Sequence, residues 1–129
     1  MIALDTNVWV RYVTNDKPDQ AKRALAVLAG AEEIFVAKTT LLELEWVLRS
    51  AYELPAAAII RALRHILGLP NVQVEMPDQL EKATDYYEKG LDFADALHLA
   101  SSPEGLSFYT FDTALIKRAR SLKAPVKAL

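Results

Sequence analysis

The sequence predicts an α/β protein, a three-layer α/β/α sandwich around a short-stranded, mainly parallel central sheet. Three observations point there. Short apolar runs (Ile2-Ala3-Leu4, "EIFVA", "VQVE" and "LSFYTF") alternate along the chain with longer stretches whose apolar residues recur at helical spacing. Alternation of this kind argues for parallel strands joined by helical crossovers, with helices covering both faces of the sheet. The 129 residues contain only four glycines, no repeat and no Gly/Ser linker, as expected of one domain, 1–129, long enough for a real core.

The elements follow in order. A strand over 2–5 leads into a helix over 6–14, where Val8, Trp9, Tyr12 and Val13 fall at helical spacing. Pro18-Asp19 opens a second helix, with Gly30 as its stop. A short strand over 33–37 precedes a helix over 39–54 that opens on Thr39 or Thr40. Pro55 suits the first turn of the next helix, 55–68, which ends at Gly68 before Pro70. A strand over 72–75 is followed by a helix over 77–90, stopped by Gly90, and another over 92–102, stopped near Pro103. A strand over 106–111, a helix over 112–122 and a last edge strand in "PVKAL" complete the chain.

Composition removes several classes of function. Hydrophobic content of 52% with 25% charged residues is that of an ordinary soluble globular protein. No apolar run is long enough to span a bilayer, and the N-terminus lacks the basic segment and cleavage site of a signal peptide, so a cytoplasmic protein with no membrane association is expected. The absence of cysteine excludes disulfides and thiolate metal sites and fits that location. His65 and His98 lie far apart with no zinc spacing. Any metal must therefore rest on carboxylates, which select a hard cation such as Mg²⁺ or Mn²⁺. The net charge of −2 carries no general nucleic-acid signal, but from Thr110 onward Lys117, Arg118, Arg120, Lys123 and Lys127 face a single acid, Asp112. This basic segment is either a solvated helix end or a phosphate-contacting patch.

The acids fall at the starts of separate elements. Asp5 and Asp112 each follow a buried strand and precede a helix, so each is either an N-cap or a ligand at the carboxyl edge of a parallel sheet. Glu43 stands in an apolar stretch with Leu41, Leu42, Leu44 and Leu48, where an acid is costly without a partner. Glu45 is equally near the helix start, and the dipole argument serves both. In "DFADALHLA", Phe93, Ala96, Leu97 and Ala100 form one face and leave Asp92, Asp95 and Leu99 on another. Asp92 and Asp95 are helix neighbours that read either as a capping-box variant or as two like charges relieved by a cation. Such a carboxylate set is what metal-dependent phosphodiester hydrolysis requires.

"DTN" after the first strand, "TTLLELEWVLR", "DFADALHLA" and "TFD" at a late strand end, in this order, resemble the PIN domain, and more closely the VapC-type ribonuclease toxins of bacterial type II toxin–antitoxin systems. The resemblance covers nearly the whole chain. It implies an endoribonuclease dependent on Mg²⁺ or Mn²⁺, with Asp5, Glu43, Asp95 and Asp112 as catalytic metal-holding acids and Asp92 as an extra acid of the "DFADALH" subtype. Thr6 and Asn7 occupy the position of a small polar residue that orients Asp5 or water. Thr110 resembles the threonine that precedes the last acid in many members; where those read Thr-Asn-Asp, this chain reads Thr110-Phe111-Asp112, and the fourth acid often acts through water. The resemblance further implies an RNA substrate and a cognate antitoxin received near Trp46, Arg49 and Tyr52.

Helix 55–68 is apolar on most sides, through Ala56, Ala57, Ala58, Ile59, Ile60, Leu63, Ile66 and Leu67, which marks it as core or as the interface of a homodimer. Lys117, Arg118 and Arg120 follow Asp112 and are the candidate RNA-backbone contacts. His98, three residues after Asp95, is a weaker candidate for a base. Two competing readings remain: a PIN-fold binding or scaffold module with weak or no catalysis, which the intact acid set opposes, and a receiver-type signalling domain, which would need an acidic pair near the N-terminus and a phosphate-accepting Asp near mid-chain.

Overall fold

Each strand–strand pair in the molecule is parallel, and each connection between paired strands is helical. The structure, a computed structural model describing residues 1–129, divides into two units, Met1–Pro77 and Asp78–Leu129. The first holds β1 (Ile2–Ala3), α1 (Thr6–Thr14), α2 (Pro18–Gly30), β2 (Ile34–Val36), α3 (Lys38–Ser50), α4 (Ala56–Leu67) and β3 (Val72–Val74). Its sheet runs β1-β2-β3, with Ile2 opposite Ile34 and Ile34 opposite Val72. The second unit carries α5 (Pro77–Glu88), α6 (Phe93–Ser101), β4 (Phe108–Thr110), α7 (Thr113–Ser121) and β5 (Val126–Ala128), with β4 and β5 paired as a second sheet. The α/β class read from the sequence is the class observed, and the last strand is present in register with Phe108–Thr110.

The strands are shorter than their apolar runs because the ladder ends where the chain turns into each helix. In the first unit, Trp9, Ile34, Leu41, Leu44, Leu48, Ile59, Leu63 and Ile66 are fully buried, and α1 packs against both α2 and α3. The Trp9 ring meets Tyr12 edge-on at 6.1 Å, and Tyr12 stacks on His65 and shares a hydrogen bond with its Nε2. In the second unit Leu80, Leu91, Phe93 and Ala96 are buried, with Tyr87 tilted against Phe93 at 5.2 Å. Leu99 is buried too, so the apolar face of α6 is wider than its 3.6-residue stripe implied. The apolar surplus of α4 resolves as core: Ile59, Ile60, Leu63 and Ile66 are buried, and the exposed positions at its start are the alanines 56 and 57.

The helix ends differ from expectation where tertiary contacts intervene. α3 does not open on Thr39 or Thr40. It begins at Lys38, its N-cap Ala37 has no capping side chain, and the Lys38 N–H donates instead to Glu75 Oε1 at 2.9 Å, just past β3. The cap comes from the neighbouring strand. α3 also stops at Ser50 rather than 54. Glu53 adopts φ 52°, the Leu54 N–H returns to the Leu48 carbonyl at 3.0 Å, and Leu54 precedes a proline that disfavours helical backbone. Pro55 accordingly sits at the N-cap of α4 in extended conformation, not in its first turn. Gly90 ends α5 as expected and requires glycine, since its φ is +105°.

Replacing Glu75 by Ala should leave the first turn of α3 without its cap and cost about 1 kcal/mol. Glu75→Gln keeps an acceptor and should retain most of that. The midpoints of urea unfolding for the two variants check the order, and equal midpoints would show that the cap carries no weight.

Candidate active site

Parallel neighbours β1 and β2 deliver the chain into α1 and α3 at the same edge of their sheet, and this is why residues near the two helix starts meet. Asp5 is the N-cap of α1, extended at ψ 155°, and its Oδ1 accepts the Thr6 N–H at 2.8 Å, leaving Oδ2 free. Glu43 lies in the second turn of α3, exposed. Asp5, Thr6, Asn7 and Glu43 line one cleft of about 460 Å³, with Arg11 and Tyr52 on its wall. The buried acid of α3 is Glu45, at 2% exposure, and it is Glu45 that has the partner: Arg49, one turn on, donates through Nε at 2.8 Å. The requirement that an acid in the apolar stretch be paired holds, but for Glu45 rather than Glu43. The signal was in the spacing, because Glu45 is four residues from Leu41 and three from Leu48 and shares their face.

Around this cleft Arg11 is tethered. Its Nε donates to Gln20 Oε1 at 2.8 Å and its Nη1 to the Tyr52 hydroxyl at 2.8 Å, while that hydroxyl donates to Asp16 Oδ2 at 2.9 Å. The Tyr52 hydrogen bond, followed by the Lys17 backbone N–H and the charges of Arg11 and Lys17, holds the Asp16 carboxyl below the usual carboxylate range. Tyr52, just past the end of α3, is thus joined to the cleft, whereas Trp46 on α3 is 58% exposed.

The second unit gathers the other acids. Asp92 caps α6, its Oδ2 accepting the Asp95 N–H at 3.2 Å. Asp95, half-buried in the first turn, has its carboxyl raised above the ordinary value by burial and then by the negative charges of Asp92 and Asp112, with His98 opposing. Asp112 caps α7 through Oδ1 on the Leu115 N–H at 3.0 Å, and its own N–H is held by Thr110 Oγ1 at 3.0 Å. Phe111, between them, is 79% exposed. Lys117, Arg118 and Arg120 are exposed on α7, and the Arg118 guanidinium lies against Gly90.

Capping and ligation are therefore compatible. Asp5, Asp92 and Asp112 each spend one carboxylate oxygen on a helix N-terminus and keep the other. The donors are all carboxylate oxygens, a set that fits a hard divalent cation. As the side chains stand, no group of three His, Asp or Glu within either unit is close enough to hold one.

A model of the PIN domain family matches residues 2–121. The chain belongs to the PIN domain family. PIN domains are generally nucleases acting on RNA and usually use divalent metal ions. No curated protein and no solved structure gives a significant match to the chain. No helix of this PIN domain is long and apolar enough to cross a membrane.

The raised carboxyl of Asp95 has a thermodynamic consequence. The folded PIN domain holds that proton more tightly than the unfolded chain, so the ionised form is penalised in the fold at neutral pH, and the penalty fades as pH falls through the raised folded value and is gone below the unfolded value near 3.9. Asp95→Asn should melt higher than the parent at pH 7 in EDTA, with the gain lost near pH 3. A lower melting temperature at pH 7 would mean that the amide disrupts packing more than it relieves repulsion.

Proposed function

We propose that this single PIN domain, 1–129, is a metal-dependent endoribonuclease and the toxin of a toxin–antitoxin pair acting in the cytoplasm. The observation that carries the reading is that Asp5, the N-cap of α1, and Glu43, in the second turn of α3, line one cleft, in a chain whose family consists generally of nucleases. Asp5, Glu43, Asp95 and Asp112 are the acids proposed to hold Mg²⁺ or Mn²⁺, with Asp92 as the additional one. Bound there, a divalent cation supplies Lewis acidity and positive charge against a phosphodiester.

The protein's own residues do the positioning. The Thr6 N–H fixes the rotation of the Asp5 carboxylate, and Thr110 fixes the backbone at Asp112. Asn7, exposed in the cleft, offers an amide to a phosphate oxygen or water. Lys117, Arg118 and Arg120 are proposed as backbone contacts that give affinity without sequence information. The antitoxin would set a cationic side chain among the acids, and the exposed Trp46 and Phe111 offer apolar anchors to that partner or to a second copy in a homodimer.

Asp5→Asn and Asp95→Asn should each fold and lose Mg²⁺-dependent RNA cleavage by at least about a hundredfold, since the ion contributes several kcal/mol to the transition state. Parent-like cleavage by either variant would sink the assignment. Gln in place of Lys117, Arg118 and Arg120 together should weaken RNA binding and flatten its salt dependence while the cleavage positions stay the same. Unaltered affinity and salt slope would leave α7 a solvated face.

A further inference from the structure

Beside the Asp5–Glu43 cleft lies a second one, of about 290 Å³, between α1 and α2. Asn7 and Arg11 line both, so the two share a wall. The second cleft has two kinds of lining. Val8, Ala24 and Val27 form an apolar side, and Asn7, Arg11 and Arg23 a polar, cationic one. Arg11 is fixed there by Gln20 and Tyr52, which occupy Nε and Nη1 and leave Nη2 without a partner. Arg23 is exposed on α2 and has no carboxylate partner. An unneutralised cation and a pre-oriented guanidinium next to a pair of carboxylates form a pattern that suits a chain of phosphates. In such a chain one phosphate would lie at the acids, and the next where arginine supplies the charge. The volume is at the low end for small-molecule pockets and matches one nucleotide unit rather than a duplex. Apolar walls with an amide at the rim suit the faces and edge of a base.

We propose that the α1–α2 cleft is a nucleotide subsite. It takes the nucleotide next to the scissile phosphodiester of a single-stranded RNA, with Arg23 and the free Nη2 of Arg11 on its phosphate and Val8, Ala24 and Val27 against its base. This rests on the nuclease reading above and adds to it the direction in which substrate leaves the acids.

The test uses the full chain and a fluorescein-labelled ten-nucleotide single-stranded RNA of mixed sequence, with Ca²⁺ replacing Mg²⁺ to slow cleavage. Arg23→Gln should weaken binding about tenfold and make the log–log salt dependence shallower by about 0.7, the value for one phosphate contact on a single strand. Its melting temperature should match the parent, since Arg23 is exposed and unpaired. With 4-thiouridine in the RNA, photocrosslinks should map to α1 or α2. If the parent binds and cleaves RNA while Arg23→Gln binds with the same affinity and salt slope, the subsite is wrong and the nuclease reading stands. Crosslinks confined to α7 would also overturn the subsite, by routing the strand over the basic helix. If the parent neither binds nor cleaves RNA, the nuclease reading falls and the subsite with it.

Discussion

The constraint on which this structure turns is the set of unsatisfied N–H groups at the start of each helix. A parallel sheet returns the chain through a helix after each strand, so its carboxyl edge becomes a row of helix N-termini. Those donors need acceptors, and the field at a helix start favours negative charge. Asp5 meets the need for α1 and Asp112 for α7, each at the end of a strand, and Asp92 does the same for α6, which follows α5 instead of a strand. For α3 the acceptor is Glu75, reaching over from the end of β3. The acids thus stand where they do for a reason that is structural first.

That reason does not compete with chemistry. A carboxylate has two oxygens, and a cap uses one. The backbone N–H that a cap satisfies also holds its carboxylate in a single orientation, which is what a ligand to a metal or an acceptor for water needs. The tension appears at Asp95, which caps nothing. It is half-buried near two capping acids, and burial first, then their negative charge, raises its carboxyl above the ordinary value. The divalent cation proposed for these acids would offset that repulsion.

Cations are arranged with equal economy in the first unit. Arg49 is committed to the buried Glu45, whose carboxylate would lose this donor if Arg49 were removed. Arg11 is only tethered, by neutral acceptors at two of its nitrogens, and stays within reach of Asp16 at 3.8 Å. Its charge is oriented and only partly offset by Asp16, and the guanidinium lines the cleft with little ordering still to be done.

Much of this was legible in the chain. Apolar runs of strand length between helical stretches fixed the α/β class, and Pro18, Gly90 and the strand-end aspartates marked helix boundaries, because these are local effects of backbone freedom and nearest-neighbour capping. The four blocks around Asp5, Glu43, Asp95 and Asp112 were enough to suggest the family. What the chain could not decide depended on neighbours distant in sequence. Glu75 as the cap of α3 needs the adjacency of β2 and β3. The tether of Arg11 by Gln20 and Tyr52 joins α1, α2 and the segment after α3, which only packing brings together. Capping and propensity act over a few residues and can be read from order. Burial, charge coupling and shared cleft walls act through space and exist only once the strands are in register.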